Sequence, residues 1–180
     1  MKRIGLLTSG GDCQSLNAAM RGVAKTLYEV LDTVEIYGFI EGYRGLMYNE
    51  YRLMRPTDFS GILKVGGTIL GTSRQPFKQM REKDRFGNDK VQLMKETYYK
   101  LDLDCLVILG GNGTHKTANL LREEGLHIIT LPKTIDNDLR GTDITFGFQS
   151  AVDIATNAID CIHTTAVSHR RVFIVEVMGH

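Results

Sequence analysis

The sequence predicts an α/β protein: a parallel sheet with helices on both faces. Three observations carry this. Short apolar runs alternate with helical stripes along the chain. Two runs, Ile4-Gly5-Leu6-Leu7 and Cys105-Leu106-Val107-Ile108-Leu109, pass into glycine-rich turns, Thr8-Ser9-Gly10-Gly11-Asp12 and Gly110-Gly111-Asn112-Gly113-Thr114, each followed by a helical pattern. A third run, His127 to Leu131, leads into the polar tract Pro132-Lys133-Thr134-Ile135-Asp136-Asn137-Asp138.

The elements follow in order. Leu16 to Leu31 carries apolar residues at Leu16, Ala19, Met20, Val23, Ala24, Leu27 and Leu31, a helical stripe. Val34 to Phe39 reads as the next strand, Gly42-Tyr43-Arg44-Gly45 as a loop, and Thr57 to Lys64 as a short helix before Gly66-Gly67-Thr68. The mixed charges of Lys78 to Lys90 predict a solvated, mobile loop. Lys90 to Leu101 is amphipathic, and Thr114 to Glu124 is helical and ends at Gly125. Phe148 to Thr165 predicts a long helix and Val172 to Val177 a final strand. The sequence stops right after that run, where a further turn and helix are expected, so we expect an N-terminal portion of a longer chain.

The bulk properties narrow the function. The chain has 180 residues, 42% hydrophobic and 24% charged, as an ordinary globular protein does. A formal charge of +1 argues against nucleic-acid and membrane-surface roles, which usually need a basic face. No segment reaches the ~18 apolar residues of a membrane span, and the N-terminus lacks a signal-peptide core. Cys13, Cys105 and Cys161 are odd in number and widely spaced, which indicates neither a disulfide framework nor a zinc site. A reducing compartment, the cytoplasm, is expected.

The polar tract reads as a site. It emerges at a strand's C-terminal end, where open α/β sheets bind ligands. Asp136 and Asp138, with Thr134 and Lys133 beside them, have the groups to take a proton from an alcohol and steady a moving phosphoryl group. The glycine turns suit phosphates, because glycine lets backbone N–H groups approach closely and a helix N-terminus adds positive potential. One such turn commonly serves packing alone; two beside an acidic tract point to a phosphate donor site.

These motifs, in this order, resemble phosphofructokinase. The matching residues are Gly10-Gly11-Asp12 with Leu16-Asn17-Ala18, Gly66-Gly67-Thr68 through Gly71-Thr72-Ser73-Arg74, Gly110 to Thr114, Pro132 to Asp138, Ser168-His169-Arg170-Arg171, and Glu176-Val177-Met178-Gly179. The resemblance implies a Rossmann-like parallel sheet as the first domain of a two-domain kinase, with residues 1–138 binding nucleotide and 139–180 starting the sugar-phosphate domain. It implies transfer of a phosphoryl group to the 1-hydroxyl of fructose 6-phosphate. Asp136 would be the general base, with Thr134, Lys133 and Arg74 as further catalytic groups. Gly11, Tyr43, Arg74, Gln75, Gly111, Asn112, Gly113 and Thr114 would hold ATP. Thr134, Ile135, Asp136, Asp138, Met178, Gly179 and His180 would hold the sugar phosphate, and Arg171 would reach that of a neighbouring subunit in a homo-oligomer.

Family members use either ATP or pyrophosphate. Pyrophosphate users tend to carry an aspartate where Gly113 stands, filling space the α-phosphate needs, so Gly113 favours ATP. Lys133 points the other way, since pyrophosphate users carry a lysine there; the combination resembles a mixed subgroup that uses ATP. Many relatives hold Mg²⁺ with an aspartate where Asn112 stands, and an amide oxygen is a weaker ligand for a hard cation. Asp12, Asp136 or Asp138 compensates, or metal binding is weakened. Gln14-Ser15 and His180 also depart from the common pattern. A pyrophosphate-dependent enzyme, another glycine-turn kinase such as an NAD kinase, and a non-catalytic nucleotide-binding module remain the alternatives.

Overall fold

The computed structural model describes residues 1–178. In chain order it contains β1 (Lys2–Ser9), α1 (Leu16–Val30), β2 (Val34–Phe39), α2 (Tyr43–Tyr48), β3 (Tyr51–Met54), α3 (Lys90–Lys100), β4 (Cys105–Gly110), α4 (Asn112–Glu123), β5 (Ile128–Thr134), β6 (Phe146–Gly147) and α5 (Phe148–His169). One six-stranded sheet runs β3-β2-β1-β4-β5-β6. Every neighbouring pair is parallel except β2 with β3. The chain winds outward from β1 to β2 and β3, then crosses to β4 on the other side. Strand order therefore reverses between β1 and β4, and a crevice at such a switch point is where doubly wound sheets bind ligands. Register completes the placement: Ser9 pairs with Gly110, and Gly110 with Pro132. Both glycine turns and the polar tract thus leave the sheet side by side.

Alternation along the strands builds two cores. On β1, Leu7 faces one side while Ile4 and Leu6 face the other; on β4, Leu106 and Ile108 oppose Val107 and Leu109. Leu16, Met20 and Ala24, four residues apart on α1, cover one face. Met94 and Tyr98 of α3 and Ala118 and Leu121 of α4 cover the other. Fully burying a side chain such as Leu6 or Met20 is worth about 1.5–3 kcal/mol. In α5, by contrast, no residue is buried.

The structure corrects several expectations. Gly42 to Gly45 is not a loop, because α2 begins at Tyr43. The glycines there serve close backbone approach: a Cβ on Gly42 (φ 66°) would lie 2.5 Å from the Thr8 carbonyl oxygen. The helix expected over Thr57 to Lys64 shrinks to a 3-10 turn, Pro56–Phe59, and Gly61 beyond it takes φ 74°. Lys78 to Lys90 is largely exposed, as its mixed charges predict, but it is folded into turns. Met80 within it is fully buried, and the Asp84 carboxylate accepts from the amides of Phe86 and Asn88, both at 2.8 Å. Val172 to Val177 forms no strand; it is exposed and pairs with no strand among the described residues. A β run becomes a strand only where a neighbour takes its backbone hydrogen bonds. The short edge strands β3 and β6 carry no strong pattern in the sequence.

Candidate active site

The crevice at the C-terminal edge is a cavity of about 590 Å³. Its walls come from all three polar segments: Gly11 and Asp12 after β1, Gly111, Gly113 and Thr114 opening α4, and Lys133 to Asp136 ending β5. A fourth wall comes from the loop carrying Arg74 and Gln75.

That loop is tied to the first glycine turn by polar contacts. Thr72 Oγ1 donates to the Gly10 carbonyl at 2.7 Å, and the Gly10 amide donates to Ser73 O at 3.4 Å. Thr8 Oγ1 donates to Gly71 O and meets Thr68 Oγ1, both at 2.9 Å. Fully buried Asn17 spans the loop's beginning, donating to Val65 O and accepting from the Ile69 amide at 2.8 Å each. Such a run of bonds, together with Leu70 buried in the core, fixes Arg74 relative to Gly11.

The second glycine turn opens a helix. The first intrahelical amide is that of His115, bonded to Gly111 O at 3.0 Å, so the amides before it have no helical acceptor and face the anion-attracting end of the helix. Thr114 Oγ1 donates to Ser9 O at 3.3 Å, joining the two glycine turns. Tyr43, expected near the nucleotide, is instead fully buried and outside the cavity lining. Its hydroxyl donates to Thr114 O at 2.8 Å, and burial pushes that phenol far above its ordinary value. Tyr43 thus supports the turn from beneath. Tyr43→Phe leaves the Thr114 carbonyl without this donor, and urea unfolding should show a loss of about 1–3 kcal/mol.

Strand β5 extends past Leu131 to Thr134, carrying two polar side chains into the wall. Lys133 is 6% exposed, and its ammonium donates to Gly11 O. Burial lowers its pKa from the ordinary 10.5, while the potentials of Cys13, Asp12 and Asp136 oppose the shift. With the folded-state value depressed, the cost of burying the charge is present at neutral pH. It fades only as pH rises toward the unfolded-state value, where the unfolded chain binds the extra proton. Wild type should therefore gain stability relative to Lys133→Met as pH rises from about 7 to about 10, followed by thermal melting. A relative loss over that range would contradict the placement of a buried ammonium here.

The cavity gathers Gly11, Arg74, Gln75, Gly111, Gly113, Thr114, Lys133, Thr134, Ile135, Asp136 and Met178 from the sequence-based set. Asn112 and Asp138 are exposed and outside the lining, as is Arg171 beyond α5. Gly179 and His180 lie outside the described residues. Ser9, Gly10, Asp12, Pro76 and Phe77 also line the cavity. The first three sit within the glycine turn and were legible there; nothing in the sequence marks Pro76 or Phe77.

Comparison with known proteins settles the family. The family model for phosphofructokinase matches residues 3–180. The chain belongs to the phosphofructokinase family. It is 60% identical over 182 residues to the ATP-dependent 6-phosphofructokinase of Spirochaeta thermophila, and 49% identical over 179 residues to ATP-dependent 6-phosphofructokinase 3 of Bacteroides thetaiotaomicron. These matches cover 99% of the chain and 50% and 52% of the relatives, so the chain spans about half their length. Among solved structures, phosphofructokinase from Saccharomyces cerevisiae superposes with a TM-score of 0.85 at 33% identity, covering 99% of this chain and 26% of that one. The phosphofructokinase sheet in this chain is the one described above, with the cavity at its switch point.

Proposed function

We propose that the intact protein transfers the γ-phosphoryl group of ATP to the 1-hydroxyl of fructose 6-phosphate, giving fructose 1,6-bisphosphate and ADP. The observation that carries this is one cavity lined by two glycine turns and by Asp136. It is joined by family membership and by close relatives named as ATP-dependent. Asp136 accepts the proton of the 1-hydroxyl as the oxygen bonds to the γ-phosphorus and the bond to ADP breaks. Thr134 and Lys133 hold the transferring group, and Arg74 supplies bidentate contacts to the donor. Gly11, Gln75 and the Gly111 to Thr114 turn cradle the phosphates. Ile135 and Met178 border the sugar, and Asp138, outside the lining, lies on the same loop as Asp136.

Gly113 supports ATP over pyrophosphate: a Cβ there would meet nothing within 4 Å, which leaves room for a larger donor. The residues fit Mg²⁺. Asp12 and Asp136 both line the cavity, and Mg²⁺ is ordinarily held by one or two carboxylates together with substrate phosphates. The described residues include no cluster of three or more acidic, histidine or cysteine groups that would hold a metal alone. Asp12 would hold the ion beside the donor, leaving Asp136 as the base, and Mg²⁺ would supply positive charge against the donor phosphates. We place a domain boundary near residue 138 and a sugar-phosphate domain carrying Arg171 after it; β6 still pairs with β5 beyond that point, and the exposed α5 follows from Phe148. A homo-oligomer with shared sites and a cytoplasmic location complete the proposal; no helix of the described residues is long and apolar enough to cross a membrane.

Phosphorus NMR of the product tests the reaction. A new phosphate ester on C1 of fructose 6-phosphate, formed with equimolar ADP, is the expected result. Phosphorylation elsewhere, or ADP without a sugar product, would overturn it.

A further inference from the structure

We propose that Asn137 is a positioning residue for Asp136, its side chain bridging the loop between β5 and β6 so that the carboxylate faces the cavity. The inference rests on the reading of Asp136 as the base. Among the described residues, the Asp136 carboxylate has no hydrogen-bond or ion-pair partner, so its direction is set by its own backbone segment. That segment gains little from burial: Asp136, Asp138, Arg140, Gly141, Asp143 and Ile144 are all exposed. Hydrogen bonds must hold it.

They converge on Asn137. Its backbone is left-handed, with φ 53°, a region that asparagine tolerates better than most residues. This turns the side chain back across the loop. Oδ1 accepts from the Thr145 amide at 2.9 Å, and Nδ2 donates to Asp143 O at 3.2 Å. Thr145, 2% exposed, closes the circuit by donating from Oγ1 to Thr134 O at 2.8 Å. Thr134 Oγ1 in turn accepts the Asp136 amide at 3.1 Å. Thr134 and Asn137, which bracket Ile135 and Asp136, are thereby pinned to the same buried threonine. The register Lys133 to Phe146 and Thr134 to Gly147 anchors both ends of the loop.

The test uses Asn137→Gly, which permits the left-handed backbone and deletes both side-chain bonds, with Thr145→Val and Thr145→Ser. In the intact protein, Asn137→Gly and Thr145→Val should lower kcat by about 10- to 100-fold while KM for ATP changes by less than about 2-fold; Thr145→Ser, which keeps the hydroxyl, should stay within about 2-fold of wild type. Hydrogen exchange should show the Asp136 and Thr145 amides losing protection in Asn137→Gly while the β1 and β4 amides keep theirs. Three results overturn the proposal: unchanged kcat, unchanged protection of those two amides, or an equal loss of protection across the core. If wild type itself does not phosphorylate fructose 6-phosphate, the functional reading fails separately. Exchange alone then decides: retained protection refutes the bridge, and selective loss supports it.

Discussion

Asp136→Asn should lower kcat by about 10²- to 10⁴-fold, the usual contribution of a positioned general base, with little change in ATP binding. The Asp136 residue lines the cavity together with the two glycine turns, yet among the described residues its carboxylate makes no structural bond of its own. Replacing it with a near-isosteric amide removes the proton acceptor and leaves the wall in place. Steady-state kinetics with both substrates varied, beside an equilibrium titration with ATP, separates the two effects. A variant with normal kcat would remove Asp136 from the chemistry. A variant that lost ATP affinity and turnover together would make it a binding residue.

Gly113→Asp should lower kcat/KM for ATP by on the order of 10- to 100-fold, equivalent to about 1.4 kcal/mol per decade. The protein accommodates a side chain there, because Gly113 is exposed in the first turn of α4 and a Cβ meets no atom within 4 Å. Folding is therefore not the reason for the loss. The new carboxylate would stand in the lining where ATP carries its phosphates, blocking volume and repelling charge. Pyrophosphate, which has nothing beyond two phosphates, should suffer less, so the ratio of rates with the two donors is the informative readout. Unchanged ATP use would show that Gly113 does not govern donor choice.

Much of this was legible in the sequence because chemistry and periodicity coincide. The runs at residues 4–7 and 105–109 became β1 and β4, and the glycine turns after them fell side by side because Ser9 pairs with Gly110. Other features depended on contacts that no local pattern encodes. Tyr43 looks like a loop aromatic, and only the fold brings its hydroxyl to Thr114 O. Met80 lies in a charged stretch but fills the core. Val172 to Val177 has the composition of a strand without a strand to pair with among the described residues. The Asn137 bridge was invisible for the same reason, since its partner Thr145 lies on the far side of a loop.

The measurement closest to the central claim is fructose 1,6-bisphosphate formation by the intact protein, given fructose 6-phosphate, Mg²⁺ and either ATP or pyrophosphate. Product with ATP and not with pyrophosphate is the expected result, and it requires the Gly113 opening, Lys133 and the Asn112-containing turn to work together with ATP. Product only with pyrophosphate would mean that Lys133 outweighs Gly113. No product with either donor would contradict the phosphoryl-transfer account and leave a nucleotide-binding module.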